Sequence, residues 1–208
     1  MRKSHKEELF KVAFRLFILD SFEGVSIPDI EKESGFTRGA IFYYADTKLD
    51  LFKQVLEYFV LEKQCIANNV LATDSDSRRV LEEISLRNFI HLYVDAVGAA
   101  MDNFRRIVDN PSKDKGTRAY LKMLLQIKEL LPDLHKHQID LMKREQMVWQ
   151  DVLTHAVELG EVRGDVDIEL LASVFVDIFY GRAFRSSLSD GIDTEELRNE
   201  MMAVYDLL

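Results

Sequence analysis

The densest run of residues able to make directed polar contacts lies between Ser26 and Lys48: Ser-Ile-Pro-Asp-Ile-Glu-Lys-Glu-Ser-Gly-Phe-Thr-Arg-Gly-Ala-Ile-Phe-Tyr-Tyr-Ala-Asp-Thr-Lys. Ser26 suits a helix N-cap, and Asp29 stands three residues on to close a reciprocal capping box. Pro28 falls in the first turn, where its missing N–H does no harm. Gly35 suits the left-handed residue that ends a helix. Thr37 then opens a second helix carrying Arg38, Gly39, Phe42, Tyr43 and Tyr44. Two short helices about a glycine turn are the helix-turn-helix arrangement that lays its second helix in the DNA major groove. The residue types fit that task. An arginine forks onto guanine, and a threonine hydroxyl reaches a base or a phosphate. Gly39 lets the backbone approach closely. Tyr43 and Tyr44 offer flat rings with hydroxyls. Thr47, with Asp50 three residues on, caps a third helix, and Lys48 sits in its first turn against the helix dipole. A phosphate there would relieve the conflict. The candidate DNA-contacting set is Ser26, Thr37, Arg38, Gly39, Phe42, Tyr43, Tyr44 and Lys48.

The remaining elements must hold this pair in place. Ser4 with Glu7 reads as a capping box for a first helix over His5 to Leu19, with Leu9, Ala13, Leu16 and Phe17 on its inner face. Arg2, Lys3 and Lys6 at its start are within reach of phosphates or are simply solvated. Gly24 breaks the chain before Ser26. A long helix is expected from Lys48 to about Asn69, its start packed on the preceding helices and its later residues on a larger core. Ala72 to Arg79 is a polar break. Val80 to Met101, Thr117 to Leu131, Asp133 to Leu159, Ile168 to Leu188 and Thr194 to Leu208 read as helices, with a loop over Asp109 to Gly116. No strand pattern or internal repeat occurs. The expected fold is all-α: a helix-turn-helix domain over 1–48 and a larger helical domain for ligand binding and dimerisation over 49–208.

The string from Ser26 to Lys48 resembles the N-terminal domain of TetR-family transcriptional regulators. The matching residues are Phe22, Ser26, Ile27, Asp29, Ile30, Gly35, Thr37, Arg38, Gly39, Ala40, Ile41, Tyr43, Tyr44, Thr47 and Lys48. The resemblance runs from Ser4 to about Val60. Glu31, Ser34, Phe42 and Ala45 depart from the family's usual residues at their positions. The resemblance implies double-stranded operator DNA as a partner, a small-molecule effector held among the middle helices, and a homodimer. Residues of the larger part suited to an apolar or aromatic ligand are Phe59, Phe89, Tyr93, Phe104, Met123, Ile127, Met147 and Trp149. The last two helices carry more apolar surface than one face can hide. Leu171, Phe175, Ile178, Phe179, Gly181, Leu197, Met201, Val204 and Tyr205 are the candidate dimer surface.

Composition narrows the alternatives. The formal net charge of the 208 residues is −9. Residues 1–48 hold eight basic and eight acidic side chains, so the excess acid lies entirely in the rest of the chain. A neutral reader domain on an acidic body binds phosphate by a local face alone. No apolar run approaches a membrane span. The N-terminus leads into an amphipathic helix rather than a signal sequence, so a cytoplasmic location is expected. The single Cys65 cannot form an internal disulfide. HExxH, CxxC, GxSxG and glycine-rich phosphate loops are absent, and His135 and His137 do not share a helix face. No enzyme activity, metal or cofactor is expected. His91 and Asp95, four apart, suit a surface pair. The reading that results is a ligand-responsive DNA-binding regulator acting as a repressor. The alternative is a helical adaptor whose helix-turn-helix no longer reads DNA.

Overall fold

The computed structural model describes residues 2–62, 84–107 and 113–208, and among them there is no strand. Helix α1 spans Arg2–Gly24, α2 Ile27–Ser34, α3 Arg38–Phe42 and α4 Lys48–Leu56, which runs on as a π-helical turn over Glu57–Glu62. Then come α5 (Leu86–Ile107), α6 (Lys113–Leu130), α7 (Pro132–Glu158), α8 (Ile168–Ser187) and α9 (Thr194–Tyr205). The expectations for Cys65, the polar break at 72–79, the helical start at 80–83 and the side chains of Arg2, Lys3 and Val60 lie outside the described residues. So do 63–69 and 108–112.

Several boundaries differ from expectation. Helix α1 begins at Arg2, so Ser4 lies within its first turn and is not its cap. The expected loop gives way to helix from Lys113, before its glycine. Helix α5 continues past Met101 to Ile107. His91 and Asp95 do not bond each other. Arg198 of α9 reaches both, the His91 Nδ1 at 3.0 Å and the Asp95 carboxylate at 2.7 Å.

Two apolar cores form. The first gathers Leu9, Phe10, Ala13, Phe14, Phe17 and Ile18 of α1 with Ile30, Ile41 and the buried side of α4, and runs on into Phe104, Met123 and Ile127 of α5 and α6. The second packs α5 against α7, α8 and α9 around Trp149, which stacks on Phe175 at 4.6 Å with the rings 2° from parallel. Glu161 fastens this second unit. Its carboxylate accepts the N–H groups of Leu86 and Arg87 at the start of α5 and the Tyr205 hydroxyl. An acid at that helix end also meets the favourable end of the dipole.

Four of the expected dimer residues belong to this core. Phe175, Phe179, Leu197 and Met201 are at most 5% exposed within a single chain. Ridges on α8 and α9 that pack on α5 and α7 use up those side chains, so they are not surface. Leu171, Ile178, Val204 and Tyr205 are partly buried against the same core, and Gly181 is exposed.

Within the second core lies a buried carboxyl, Glu145 of α7. It accepts hydrogen bonds from the Tyr93 hydroxyl at 2.6 Å and the Tyr180 hydroxyl at 3.0 Å. Burial pushes it above its ordinary value of 4.5, and the two hydroxyls pull it part of the way back. The unfolded chain ionises this group near 4.5, while the folded chain keeps its proton to higher pH. The folded state therefore binds more protons in that window, and stability falls as pH rises through it. Glu145→Gln removes the loss, so the stability of the variant relative to wild type should increase as pH is raised above 4.5. Urea denaturation at several pH values measures the difference. A difference that stays flat or declines would rule out this titration.

Candidate functional site

The helix-turn-helix is built by its caps. Ser26 Oγ accepts from the Asp29 N–H at 3.3 Å, and Asp29 Oδ2 accepts from the Ser26 N–H at 2.8 Å, closing the box read from the sequence. The Ser26 hydroxyl, which donates to Asp29 Oδ2 at 2.5 Å, and then the Ser26 N–H hold the Asp29 carboxyl below its ordinary value. Gly35 ends α2 at φ 71°, ψ 4°, where any side chain would be strained. Ser34 uses its hydroxyl locally, donating to the Ile30 carbonyl and accepting from the Phe36 N–H. Thr37 caps α3 through the Ala40 N–H at 3.3 Å, and Thr47 caps α4 through the Asp50 N–H at 3.0 Å. Arg15 of α1 pairs with Glu33 of α2 at 3.1 Å.

Burial then sorts the candidate residues. Ile30 and Ile41 are fully buried and fix the two helices on α1 and α4. Thr37, Arg38 and Gly39 are exposed together at the start of α3, and Tyr43 is 72% exposed at its end. Phe42 is partly buried and carries the Arg38 guanidinium over its ring at 5.6 Å. Tyr44 is partly buried and meets Tyr43 edge to face at 5.1 Å. Ser26 is exposed, but its side chain is engaged in the capping box.

Lys48 does something the sequence did not disclose. Its ammonium donates to the carbonyls of Phe22 at 2.9 Å and Val25 at 3.0 Å and lies 4.1 Å from the centre of the Phe22 ring. These carbonyls flank the end of α1, where backbone acceptors lack helical partners. The expected phosphate is therefore replaced by two backbone oxygens, and Lys48 is a fastener of the α1–α2 corner. That corner contains Ser21 at φ 71°, ψ 162°, a conformation strained for any residue but glycine. Two side chains of α6 hold its other side. Gln126 Oε1 accepts the Phe22 N–H at 2.6 Å, and Lys122 Nζ donates to the Leu19 carbonyl at 3.2 Å. Sequence reasoning missed Lys122 and Gln126 altogether, because their partners lie 103 and 104 residues away.

The candidate ligand residues do not meet in one place. Phe59, Phe104, Met123 and Ile127 lie in the first core, and Phe89, Tyr93 and Trp149 in the second. Met147 is 59% exposed and belongs to neither, since it falls on the outer face of α7. A cavity of about 250 Å³ does open elsewhere, among Gly98, Asp102 and Arg105 of α5, Thr117 of α6 and Thr194 of α9.

The role of Lys48 has a measurable consequence. Lys48→Ala leaves two carbonyls without their donor and should cost about 1–3 kcal/mol of stability. Urea denaturation reads this directly. Unchanged stability would return Lys48 to the list of phosphate contacts.

The geometry agrees with relatives found by comparison. Residues 6–55 match the family described as bacterial regulatory proteins, tetR family. The chain is similar to the HTH-type transcriptional repressor KstR2 of Rhodococcus jostii (strain RHA1), 22% identical over 171 residues, which are 81% of this chain and 73% of that protein. It shares the fold of the TetR family transcriptional regulator PfmR from Thermus thermophilus, with a TM-score of 0.61 at 19% identity over 96% of this chain and 95% of that one. E. coli NemR in its reduced form gives a TM-score of 0.62 at 15% identity, over 98% and 97% of the two chains. No helix among the described residues is long and apolar enough to cross a membrane. The capped helix pair thus lies in the stretch that matches the tetR family, and the helical fold of TetR family regulators is shared along almost the whole chain.

Proposed function

We propose that this regulator is a cytoplasmic homodimeric repressor that reads operator DNA with α3 and leaves it when a small molecule binds the larger domain. The observation that carries this reading is the joint exposure of Arg38 and Gly39 on α3 and of its two caps, Thr37 and Tyr43, on a helix anchored by the fully buried Ile41. These residues are left facing outward, while the helix beneath them is fixed. Repression is supported by the name of the Rhodococcus relative, a transcriptional repressor. Residues 1–48 form the reading unit and 49–208 the regulatory unit, and the first core is common to both.

Dimerisation is supported by the outer face of α8. Leu170, Val174, Asp177, Gly181, Phe184 and Leu188 are all exposed and recur every three or four residues, which places them in one stripe. Leu170, Phe184 and Leu188 are 63%, 60% and 72% exposed. Gly181 in mid-stripe has nothing within 4 Å of a built Cβ, so a second helix can come close there. This stripe replaces the buried residues that the sequence suggested. In a two-fold dimer the reading helices would stand about 34–36 Å apart or a multiple of this, one DNA turn.

Regulation needs a route from the larger domain to α3. Lys122 and Gln126 supply one, since both are on α6 and both hold the corner that leads into α2. A ligand that favours one setting of α6 moves that corner and weakens DNA binding, and operator must then weaken ligand binding by the same factor.

Arg38→Ala should cost about 1–3 kcal/mol on the operator and relax preference at one base, with little loss on random DNA. Fluorescence anisotropy on both DNAs measures this. Equal losses would assign Arg38 to phosphate alone. Phe184→Glu should leave the helical circular dichroism intact and convert the dimer to monomer in sedimentation. A variant that remains dimeric would take the α8 stripe out of the interface.

A further inference from the structure

Glu145 is a carboxylate with no cationic partner among the described residues. The groups that bond it there are the hydroxyls of Tyr93 and Tyr180. Burying a carboxylate without a positive charge is costly, and packed cores avoid it. The surround is equally specific. The Tyr93 ring meets Trp149 at 5.1 Å and Phe179 at 5.9 Å, both edge to face, and Phe179 meets Tyr180 at 5.0 Å. Tyr120 of α6 packs against the same core. An acidic side chain set in a cluster of aromatic rings offers an organic cation both a counter-charge and ring quadrupoles.

Two further observations point to a ligand. Trp149 is fully buried, and its Nε1 has no hydrogen-bond partner among the described residues. His135 Nδ1 and Gln138 Oε1 are likewise buried without partners there. Residues 135, 138, 145 and 149 fall on one face of α7, so unsatisfied polar atoms run along that face on both sides of Glu145. Tyr120 packs against both cores and so stands at the seam between them. Tyr120 and Tyr180 are only partly buried, so this side of the cluster is the one nearest solvent.

We propose that Glu145, Tyr93, Tyr120, Tyr180, Trp149 and Phe179 form the effector site of this regulator and that it takes an organic cation, a quaternary or protonated amine. This rests on the reading that the larger domain holds an effector, and it replaces a neutral apolar molecule by a charged one. The cation takes the place of a tyrosine hydroxyl as the partner of Glu145 and supplies the charge that the core lacks.

The test uses the full-length protein, with benzyltrimethylammonium as probe and neopentylbenzene as its uncharged isostere. Trp149 is the single tryptophan, so its emission reports on the box alone. The cation should change the emission saturably at millimolar concentration and raise the melting temperature, while the isostere does neither. Glu145→Gln should weaken the cation at least about tenfold. If that variant fails to fold, the comparison of charged and uncharged probes on wild type still decides. Equal response to both probes, no response to the cation, or undiminished binding by a folded Glu145→Gln would each overturn the proposal. Operator binding is measured in parallel. Tight operator binding with no cation response sinks the cation site and leaves the regulator reading standing. Cation binding that weakens operator supports both.

Discussion

The corner between α1 and α2 is the constraint on which the rest depends. A helix ends there with carbonyls that need donors, Ser21 adopts a conformation unfavourable to it, and the chain must still deliver Ser26 as a cap. Lys48 resolves the first need. At the start of α4 its charge is badly placed, but that same charge lies at the end of α1, where it is favoured. One ammonium thus serves two helices, binding the carbonyls of Phe22 and Val25. Because Lys48 is also the first residue of α4, its side chain ties that helix to the corner that leads into α2.

From that corner the larger domain acquires its hold on α3. Gln126 and Lys122 are one turn apart on α6 and bond the other side of the same corner. Met123 and Ile127, next to them in sequence, are buried against α1 and α4. Helix α6 therefore grips the reading unit by both hydrogen bonds and packing. A packed interface of this kind shifts as a body rather than deforming smoothly. A displacement of α6 would bear directly on the corner that leads into α2.

What could be read from the sequence was local. The caps at Ser26, Thr37 and Thr47 each involve residues three apart, and the structure has all three. The all-helical fold followed from periodicity in the same way. Contacts between distant residues were out of reach. Lys48 was placed by its dipole conflict, but its partners lie 26 and 23 residues back. Helix α8 misled for a different reason. It is apolar around most of its circumference, so no periodic signal distinguishes the side that meets Trp149 from the side that stays open. Phe175 and Phe179 turned inward, and Leu170, Phe184 and Leu188 outward. Phe42, one of the departures from the family's usual residues, offers a ring on which Arg38 rests. Met147 shows the limit of reading flexible side chains as pocket residues, since a surface methionine has the same composition signal as a buried one.

The two faces of α8 also bind the proposed site to the proposed dimer. Tyr180 bonds Glu145 from the inner side of α8, while Gly181, the next residue, is exposed in the outer stripe. Adjacent residues on a helix point about 100° apart, and the backbone between them is rigid. A cation that displaces the Tyr180 hydroxyl from Glu145 must either turn that side chain or shift α8 itself. A side-chain turn leaves the outer face untouched. A shift of α8 would be felt by a partner helix seated over Gly181 in the proposed dimer, where the absence of a side chain allows close approach. In the dimer this second response changes the angle between protomers and so the spacing of the two reading helices. It acts independently of α6, which alters the corner within one chain. In the proposed dimer these would be two levers on one DNA spacing, one through α6 and one through α8, where Tyr180 bonds Glu145.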